Sequence, residues 1–576
     1  MERFARTVLR HRRLVSGMWL VLFVLGGWSA SQLSERLTFD FSLPGQPGNT
    51  AEQQIIESYG VSTSDTYVAV VTVPVGESVL DRRGDVAAVY QAVERAVPGI
   101  RVIGYPSTGD QAFLTDDERT TFALIQGPPP QNYDAGLART LGPVVEKAAA
   151  QSGLDGGLTS YVSLSEGGEG GGPSVLAETL LGGAGALIVL LFVFASFLSV
   201  VPLLIAAVSI LTTFLIVLGL TTVSDVNFVV QFLISLIGLG VAIDYSLLLV
   251  SRWREERAAG RDNEDAVIAA MQTAGHAVLA SGGTVAISLV ALIVLPVPFL
   301  RSMGIGGMLI PLVSVAVVLT LLPAMLSSIG PRIDWPRIRH EGTASRGWTA
   351  WAQMIVRRRG LATLVAVVLL GLLIAPVFGL KIGNPDVASL ARNGPAFDTL
   401  ATLTSGGVGD GVLTPIEVLV PADQAEQAAE AARGVDGVQL ATVGADSADF
   451  ALIDVVPQAA TVDSTSNAVV DAVRVAVEKS VDGEVLITGV GATVEDYFTA
   501  VYDKFPYLLA LIALITYLLL VRTFRSVLLP LQAVLLNLVS LAAAFGAVVF
   551  FWQLGNGSDA VFDISATGAI TFWLPG

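Results

Sequence analysis

The chain has 576 residues, 53% hydrophobic and 14% charged, with a mean hydropathy of +0.66, which excludes an ordinary water-soluble protein and implies several membrane spans. Its formal net charge of −17 argues against nucleic acid as a partner. The lack of cysteine excludes disulfides and thiolate metal sites, and three scattered histidines are poor material for an imidazole-built metal centre.

Crossing a bilayer takes about 17–25 apolar residues. Along the chain such runs fall near 14–33, 178–197, 200–220, 228–250, 277–297, 303–327, 361–380, 505–521 and 527–551. A tenth is expected to begin near 566 and to be cut off at Gly576. The first run has a basic start and a Ser29-Ala30-Ser31 stretch like a signal peptide, but its length and its second copy at 361–380 favour a retained span. Arginines set sidedness. Arg3, Arg6, Arg10, Arg12 and Arg13 precede the first span, and Arg252, Arg254, Arg257 and Arg261 follow the fourth. Arg332, Arg337, Arg339, Arg346 and Arg357 to Arg359 lie between the sixth and seventh, and Arg522 and Arg525 between the eighth and ninth. With nine spans all four clusters share one side, read as the cytoplasm, so the N-terminus is expected inside a cell (inner or plasma) membrane. Arg252, Arg254, Glu255 and Glu256 read as topology anchors on a solvated helix face.

Two polar stretches, 34–175 and 381–504, fall on the far side. The first holds 18 acidic and 8 basic side chains, a net −10, and the second 19 and 6, a net −13. Such an acidic face does not suit direct docking on anionic lipid headgroups. In the first, Thr66–Val73 reads as a strand, Val79–Val97 as a helix, Ile100–Ile103 and Thr120–Ile125 as strands, Asp134–Ala150 as a helix and Leu158–Leu164 as a strand. In the second, Pro415–Val420, Val438–Val443, Phe450–Val456 and Glu484–Val490 read as strands, and Asp423–Arg433 and Ser464–Val481 as helices. Both follow the βαββαβ order of a ferredoxin-like domain. Asp116, Asp117 and Glu118 read as a turn, and Glu166–Gly172 as a flexible tether.

The halves repeat. Residues 8–14 align with 355–361, an offset of 361 − 14 = 347, and Phe197 to Val200 aligns with Phe524 to Val527, an offset of 524 − 197 = 327. Each half is one span, one outer domain and then a run of spans, which is a transporter architecture with its working site between halves. The expected divisions are 1–33 (tail and first span), 34–175 (first outer domain), 176–330 (spans two to six), 331–360 (cytoplasmic linker), 361–380 (seventh span), 381–504 (second outer domain) and 505–576 (spans eight and nine and the start of a tenth).

Asp244 stands out within this frame. The sixteen residues Phe228 to Ile243 carry no charge, and Leu247 to Val250 follow it uncharged. A lone carboxylate there costs about 2.5–3.5 kcal/mol on insertion scales unless it is partnered, hydrated or protonated, and intramembrane acids commonly mark ion coupling. The alternative is a structural carboxylate satisfied by hydroxyls of neighbouring helices. Tyr245, next in sequence, points about 100° away on the same helix. Gly238 and Gly240 read as close-packing positions one turn above. The Met303–Met308 stretch, rich in glycine, reads as packing. No nucleophile–base pair and no Gly-rich loop ending in Lys then Ser or Thr is present, so neither an enzyme nor an ATP-driven pump is expected.

The stretches Gly238-Leu-Gly-Val-Ala-Ile-Asp244-Tyr245, Leu247 to Glu256, Thr273-Ala-Gly-His276-Ala-Val-Leu-Ala-Ser281-Gly and Pro298 to Gly306 resemble the MmpL (mycobacterial membrane protein, large) family of the RND superfamily, and in topology the resemblance covers the chain. It implies a mainly α-helical membrane protein with an RND-like duplicated bundle and two extracytoplasmic α+β domains. It also implies export of lipids or other hydrophobic molecules across the inner membrane, with protons as the coupling ion and no cofactor. Asp-Tyr pairs in the fourth and tenth spans would form the proton relay, so Asp244 and Tyr245 are its candidates here. Ser281 matches a fifth-span serine near the relay; it reads equally as a helix-packing hydroxyl. His276 stands where the family commonly has Arg, and reads as an interfacial cation or a pH sensor. A second Asp-Tyr pair is expected just beyond Gly576, so the chain is read as a fragment or a truncated frame. A non-transporting scaffold or lipid-sensing subunit, or a protein-export accessory, remains the alternative. Homo-oligomer formation and a cell-envelope partner stay open.

Overall fold

A computed structural model describes the chain except residues 39–40, 130–136, 166–174, 195, 296, 336–345, 391, 448, 464–465, 563 and 572–576. The expected tether at 166–172 and the middle of the cytoplasmic linker lie outside the described residues. The chain divides into two compact units: Met1–Phe41, Pro173–Leu369 and Pro506–Asn537, and Ser42–Gly172, Leu370–Phe505 and Leu538–Gly576.

The first unit is helical. Among the described residues eight helices of the whole chain are long and apolar enough to cross a membrane. The expected second span is a ninth apolar helix, Val175–Phe194. The fourth span is Val229–Ala258, the fifth Asn263–Val290 and the sixth Pro298–Ser328. Hydropathy located only the apolar part of the fifth. It starts fourteen residues earlier than its expected 277 because Glu264 and Asp265 occupy its first turn, where the helix dipole favours acids. Pro298, needing no N–H partner, opens the sixth. These three helices share a core that includes Ala242, Leu249, Trp253, Val278, Met271, Val318 and Leu322. Several hydroxyls in the spans bond backward to their own helix, Ser209 to Ile205 O at 2.8 Å and Ser246 to Ala242 O at 2.6 Å, while Thr212 Oγ1 and Ser314 Oγ are buried without a hydrogen-bond partner among the described residues.

The second unit contains both α+β domains. In the first, β1 (Thr66–Thr72), β2 (Arg101–Gly104), β3 (Thr120–Gln126) and β4 (Asp155–Ser160) form an antiparallel sheet ordered β2-β3-β1-β4, with helices Arg83–Ala96 and Ala138–Gln151. In the second, β5 (Ile416–Pro421), β6 (Val438–Asp446), β7 (Phe450–Pro457) and β8 (Leu486–Gly489) repeat that order as β6-β7-β5-β8, with helices Ala425–Arg433 and Ala468–Ser480. Both are βαββαβ sheets, and the duplication is in the topology as well as the sequence. The strand expected at Leu158–Leu164 ends at Ser160, because the Ser160 hydroxyl accepts from Ser163 N at 3.0 Å and starts a helical turn.

Among the helices absent from the sequence expectation are Pro47–Tyr59 and Pro395–Ser405. Both open on proline and occupy corresponding places in the two halves. Each packs on the other half's sheet. Leu400 and Leu403 join the core of the first domain, while Ile55 packs with Leu419 and Leu452 of the second. The exchange interlocks the two α+β domains into one body.

The expected start of a tenth span near 566 is corrected. Residues 564–569 are not helical and Ile570–Thr571 is a strand parallel to Ile382–Gly383. Ile570 N gives its hydrogen to Lys381 O at 2.9 Å, and Gly568 sits at φ 72, so this backbone is committed to sheet and turn. The first half has the same device: Thr38 bridges Asn227, just ahead of the fourth span. The offsets, 382 − 38 = 344 and 570 − 227 = 343, make 566–571 the counterpart of the segment that precedes the fourth span.

Candidate functional site

The fourth span is 30 residues long, about 45 Å at 1.5 Å per residue. Asp244 lies eight residues before Arg252, about 12 Å along the axis. Its side chain is exposed, on a stripe with Leu236, Gly240 and Leu248 at intervals of four residues. Leu236 is 64% and Leu248 49% exposed, so the rest of this stripe suits lipid or an apolar partner. Tyr245, about 100° round the same helix, is buried. Its hydroxyl donates to Ser281 Oγ of the fifth span at 3.4 Å, a long bond. Two of the three expected relay residues therefore meet, and Asp244 points away from them.

The two glycines also part. A Cβ at Gly238 would lie 2.7 Å from Ile210 and 2.8 Å from Ile310, so this position needs glycine for helices three, four and six to approach. A Cβ at Gly240 would meet nothing within 4 Å. The close-packing expectation for Gly240 is corrected, since it shares the outward stripe with Asp244. Gly282 was missed. A Cβ there would sit 3.3 Å from the Tyr245 ring and collide with Val315, so Gly282 is what admits the tyrosine between the fifth and sixth spans. Its adjacency to Ser281 was the available signal. The Met303–Met308 glycines do pack tightly: a Cβ at Gly304 would lie 2.8 Å from Ile293.

At the basic end of the fourth span the solvated-face expectation fails for two residues. Arg254 is buried and paired with Asp334, Nε at 2.9 Å and Nη2 at 2.6 Å from Oδ1, and Nη2 also donates to Phe194 O at 3.2 Å. Glu256 is buried between Arg252 at 2.5 Å and Arg261 at 2.9 Å. Full charges are tolerated there because each is matched and hydrogen-bonded. Arg252 and Glu255 remain exposed enough to be the expected anchors. His276 is exposed, and its Nδ1, in the tautomer that carries a hydrogen there, donates to Gln272 O at 2.6 Å.

In the α+β unit, Asp116–Glu118 forms the expected turn, with Asp117 Oδ1 accepting from the Thr115 hydroxyl at 2.7 Å. That bond and the Arg119 N–H hold the Asp117 carboxyl below its ordinary range. A group the sequence did not single out lies where the two sheets meet. Arg101 pairs with Asp454, Gln126 Nε2 donates to Glu417 Oε1 at 3.1 Å and to Asp454 Oδ1 at 3.3 Å, and Glu417 is fully buried. Burial first, then the charges of Asp454 and Glu52, push the Glu417 carboxyl well above the usual glutamate range, against the pull of Arg101 and the Gln126 bond.

The sequence matches the family model described as MMPL family over residues 50–361 and 422–566. A mycolic acid-containing lipids exporter of Mycolicibacterium smegmatis, MmpL11, is 29% identical over 96% of this chain. A heme uptake protein of Mycobacterium tuberculosis, also MmpL11, is 30% identical over 66% of it. The trehalose monomycolate exporter MmpL3 of M. smegmatis is 25% identical over 96%. The chain spans 61%, 42% and 60% of the lengths of these three relatives.

Proposed function

The chain belongs to the MMPL family, and from that premise we propose that it exports a lipid or another hydrophobic molecule across the cell membrane, driven by inward proton flow through Asp244. The observation that carries this reading is the outward Asp244 on an otherwise apolar stripe. Facing lipid, the ionised carboxylate would cost about 2.5–3.5 kcal/mol on insertion scales. Facing a second helix or a water-filled path, it can gain and lose a proton as that face is alternately covered and opened. The two lipid exporters among the relatives favour a lipid cargo, and their proteins are transporters rather than enzymes by name.

Tyr245 and Ser281 then act as a supporting pair: the tyrosine fixes the rotation of the fourth span against the fifth, which sets where Asp244 points. The N-terminus would lie in the cytoplasm, where Glu2 accepts from Gln272 and Arg12 pairs with Glu264 of the fifth-span helix.

The test is complementation in a strain lacking the gene, with membrane abundance matched and the outer-envelope lipids profiled. Wild type restores the profile and Asp244→Asn does not, although it reaches the membrane at equal abundance. Full restoration by Asp244→Asn would remove the proton-coupling reading. Restored heme use without any change in lipids would shift the cargo towards that of the heme uptake relative.

A further inference from the structure

Glu417 and Asp454 are directly paired across strands β5 and β7. Arg101 and Gln126 are directly paired across β2 and β3 of the other sheet. The two pairs face each other. Asp454 has no exposed surface and is held by the Arg101 guanidinium, whose Nη1 also donates to Gln126 Oε1 at 2.5 Å. Glu417 likewise has no exposed surface; its Oε1 accepts from Gln126, and its Oε2 is buried without a hydrogen-bond partner among the described residues. The remaining acid facing Glu417 is Glu52, on the exchanged helix Pro47–Tyr59, and it is answered by its own donors, Ser62 Oγ at 2.6 Å, Thr63 N at 3.1 Å and the Thr63 hydroxyl.

Charge decides what Glu417 must be. Among the described residues the guanidinium beside Glu417 and Asp454 is that of Arg101, and Asp454 takes it. Like charges opposed across a strand pair repel, and a buried carboxylate without a counter-charge keeps its proton instead. We propose that Glu417 is a proton-binding site of the α+β unit, outside the membrane, and that loss of its proton loosens the seam between the two domains. The site is separate from Asp244 and does not depend on what the chain transports.

The neutral acid leaves the seam with Arg101 and Asp454 in balance. The ionised acid sets a second buried anion beside Asp454 and within reach of the field of Glu52. Because the folded unit holds the proton more tightly than an unfolded chain, this contribution to stability is full below the ordinary glutamate value of 4.5 and is lost as pH rises towards the raised one. The exchanged helices keep the domains tied while the seam opens, so the change is a local loosening and not separation.

The experiment uses the full chain in lipid nanodiscs, on an Asp244→Asn background that silences the membrane carboxyl. Amide hydrogen exchange is followed for peptides covering β2, β3, β5 and β7 between pH 5 and 8, corrected for intrinsic exchange. Protection of these strands should fall as pH rises, by up to about tenfold per pH unit for a single linked proton. Glu417→Gln keeps the shape of the neutral acid and should flatten that profile. It should also remove a protonated-carboxyl C=O band from the infrared spectrum. Asp454→Asn frees Arg101 for Glu417 and should move the profile to lower pH. A Glu417→Gln protein with the parent's profile and band overturns the proposal, as does an Asp454→Asn profile that stays in place.

Discussion

Asp244 stands on the outward stripe of a membrane helix, while Glu417 stands with no exposed surface where two sheets meet. Around Asp244 its own face offers Leu236, Gly240 and Leu248. Around Glu417 lie Gln126, Asp454 and, one bond further, Arg101. The pair teaches that exposure in the chain is a poor measure of what a carboxylate costs. In a hydrocarbon layer an outward acid is expensive until something polar covers it. Inside a sheet seam a fully buried acid is stable as long as its neighbours leave it a proton. What sets the cost differs: for Asp244 the medium it faces, for Glu417 a shortage of cations beside it.

The comparison breaks most visibly at Arg101. Arg101→Met leaves Asp454 buried without its counter-charge, next to Glu417, and should cost about 3–5 kcal/mol, read as a lowered thermal midpoint of the full chain. Asp244→Asn keeps the shape of the acid in its neutral form and should lower that midpoint far less than Arg101→Met, although the proposed coupling predicts that it loses transport. Equal losses from the two variants would mean that Asp244 is as deeply engaged as Asp454 and would erase the contrast.

How far this was legible in the sequence follows the same division. Asp244 could be found from sixteen uncharged residues alone, because a membrane helix is a one-dimensional pattern and a charge interrupts it. Both βαββαβ domains were legible for the same kind of reason, since strand alternation and helix periodicity are local. Glu417 was not, because it sits among many acids of a −13 domain, and only sheet register puts it opposite Asp454 and against Arg101, over three hundred residues away. The exchanged helices Pro47–Tyr59 and Pro395–Ser405 were missed because their apolar residues are few and bury against the other half's sheet. The tenth-span expectation failed because a short uncharged stretch such as Ala566 to Thr571 does not tell a helix start from a strand, and pairing with Ile382–Gly383 claims the backbone of Ile570 and Thr571.

A smaller effect sharpens the geometry of the membrane side. Gly238→Val drives a side chain into Ile210 and Ile310 and should cost about 1–3 kcal/mol by overpacking. Gly240→Ala meets open space and should be neutral or gain up to about 1 kcal/mol from helix propensity. Thermal midpoints of the two variants, measured in one detergent, check the rotation of the fourth span. If Gly240→Ala proves as harmful as Gly238→Val, the Asp244 stripe is in close contact with another helix rather than open.

The smallest expected change separates anchoring from relay at Tyr245. Its hydroxyl reaches Ser281 at 3.4 Å, too long for a strong bond, so most of its grip comes from the ring seated at Gly282. Tyr245→Phe keeps the ring and should cost no more than about 0.5 kcal/mol, at the low end for a hydrogen bond. Gly282→Ala, which leaves the hydroxyl in place but crowds the ring and Val315, should cost more. Transport in the complemented strain then reads the role directly. If Tyr245 orients the helix, Tyr245→Phe transports normally and Gly282→Ala loses transport along with stability. Loss of transport in Tyr245→Phe at unchanged stability would move the phenol into the proton path beside Asp244.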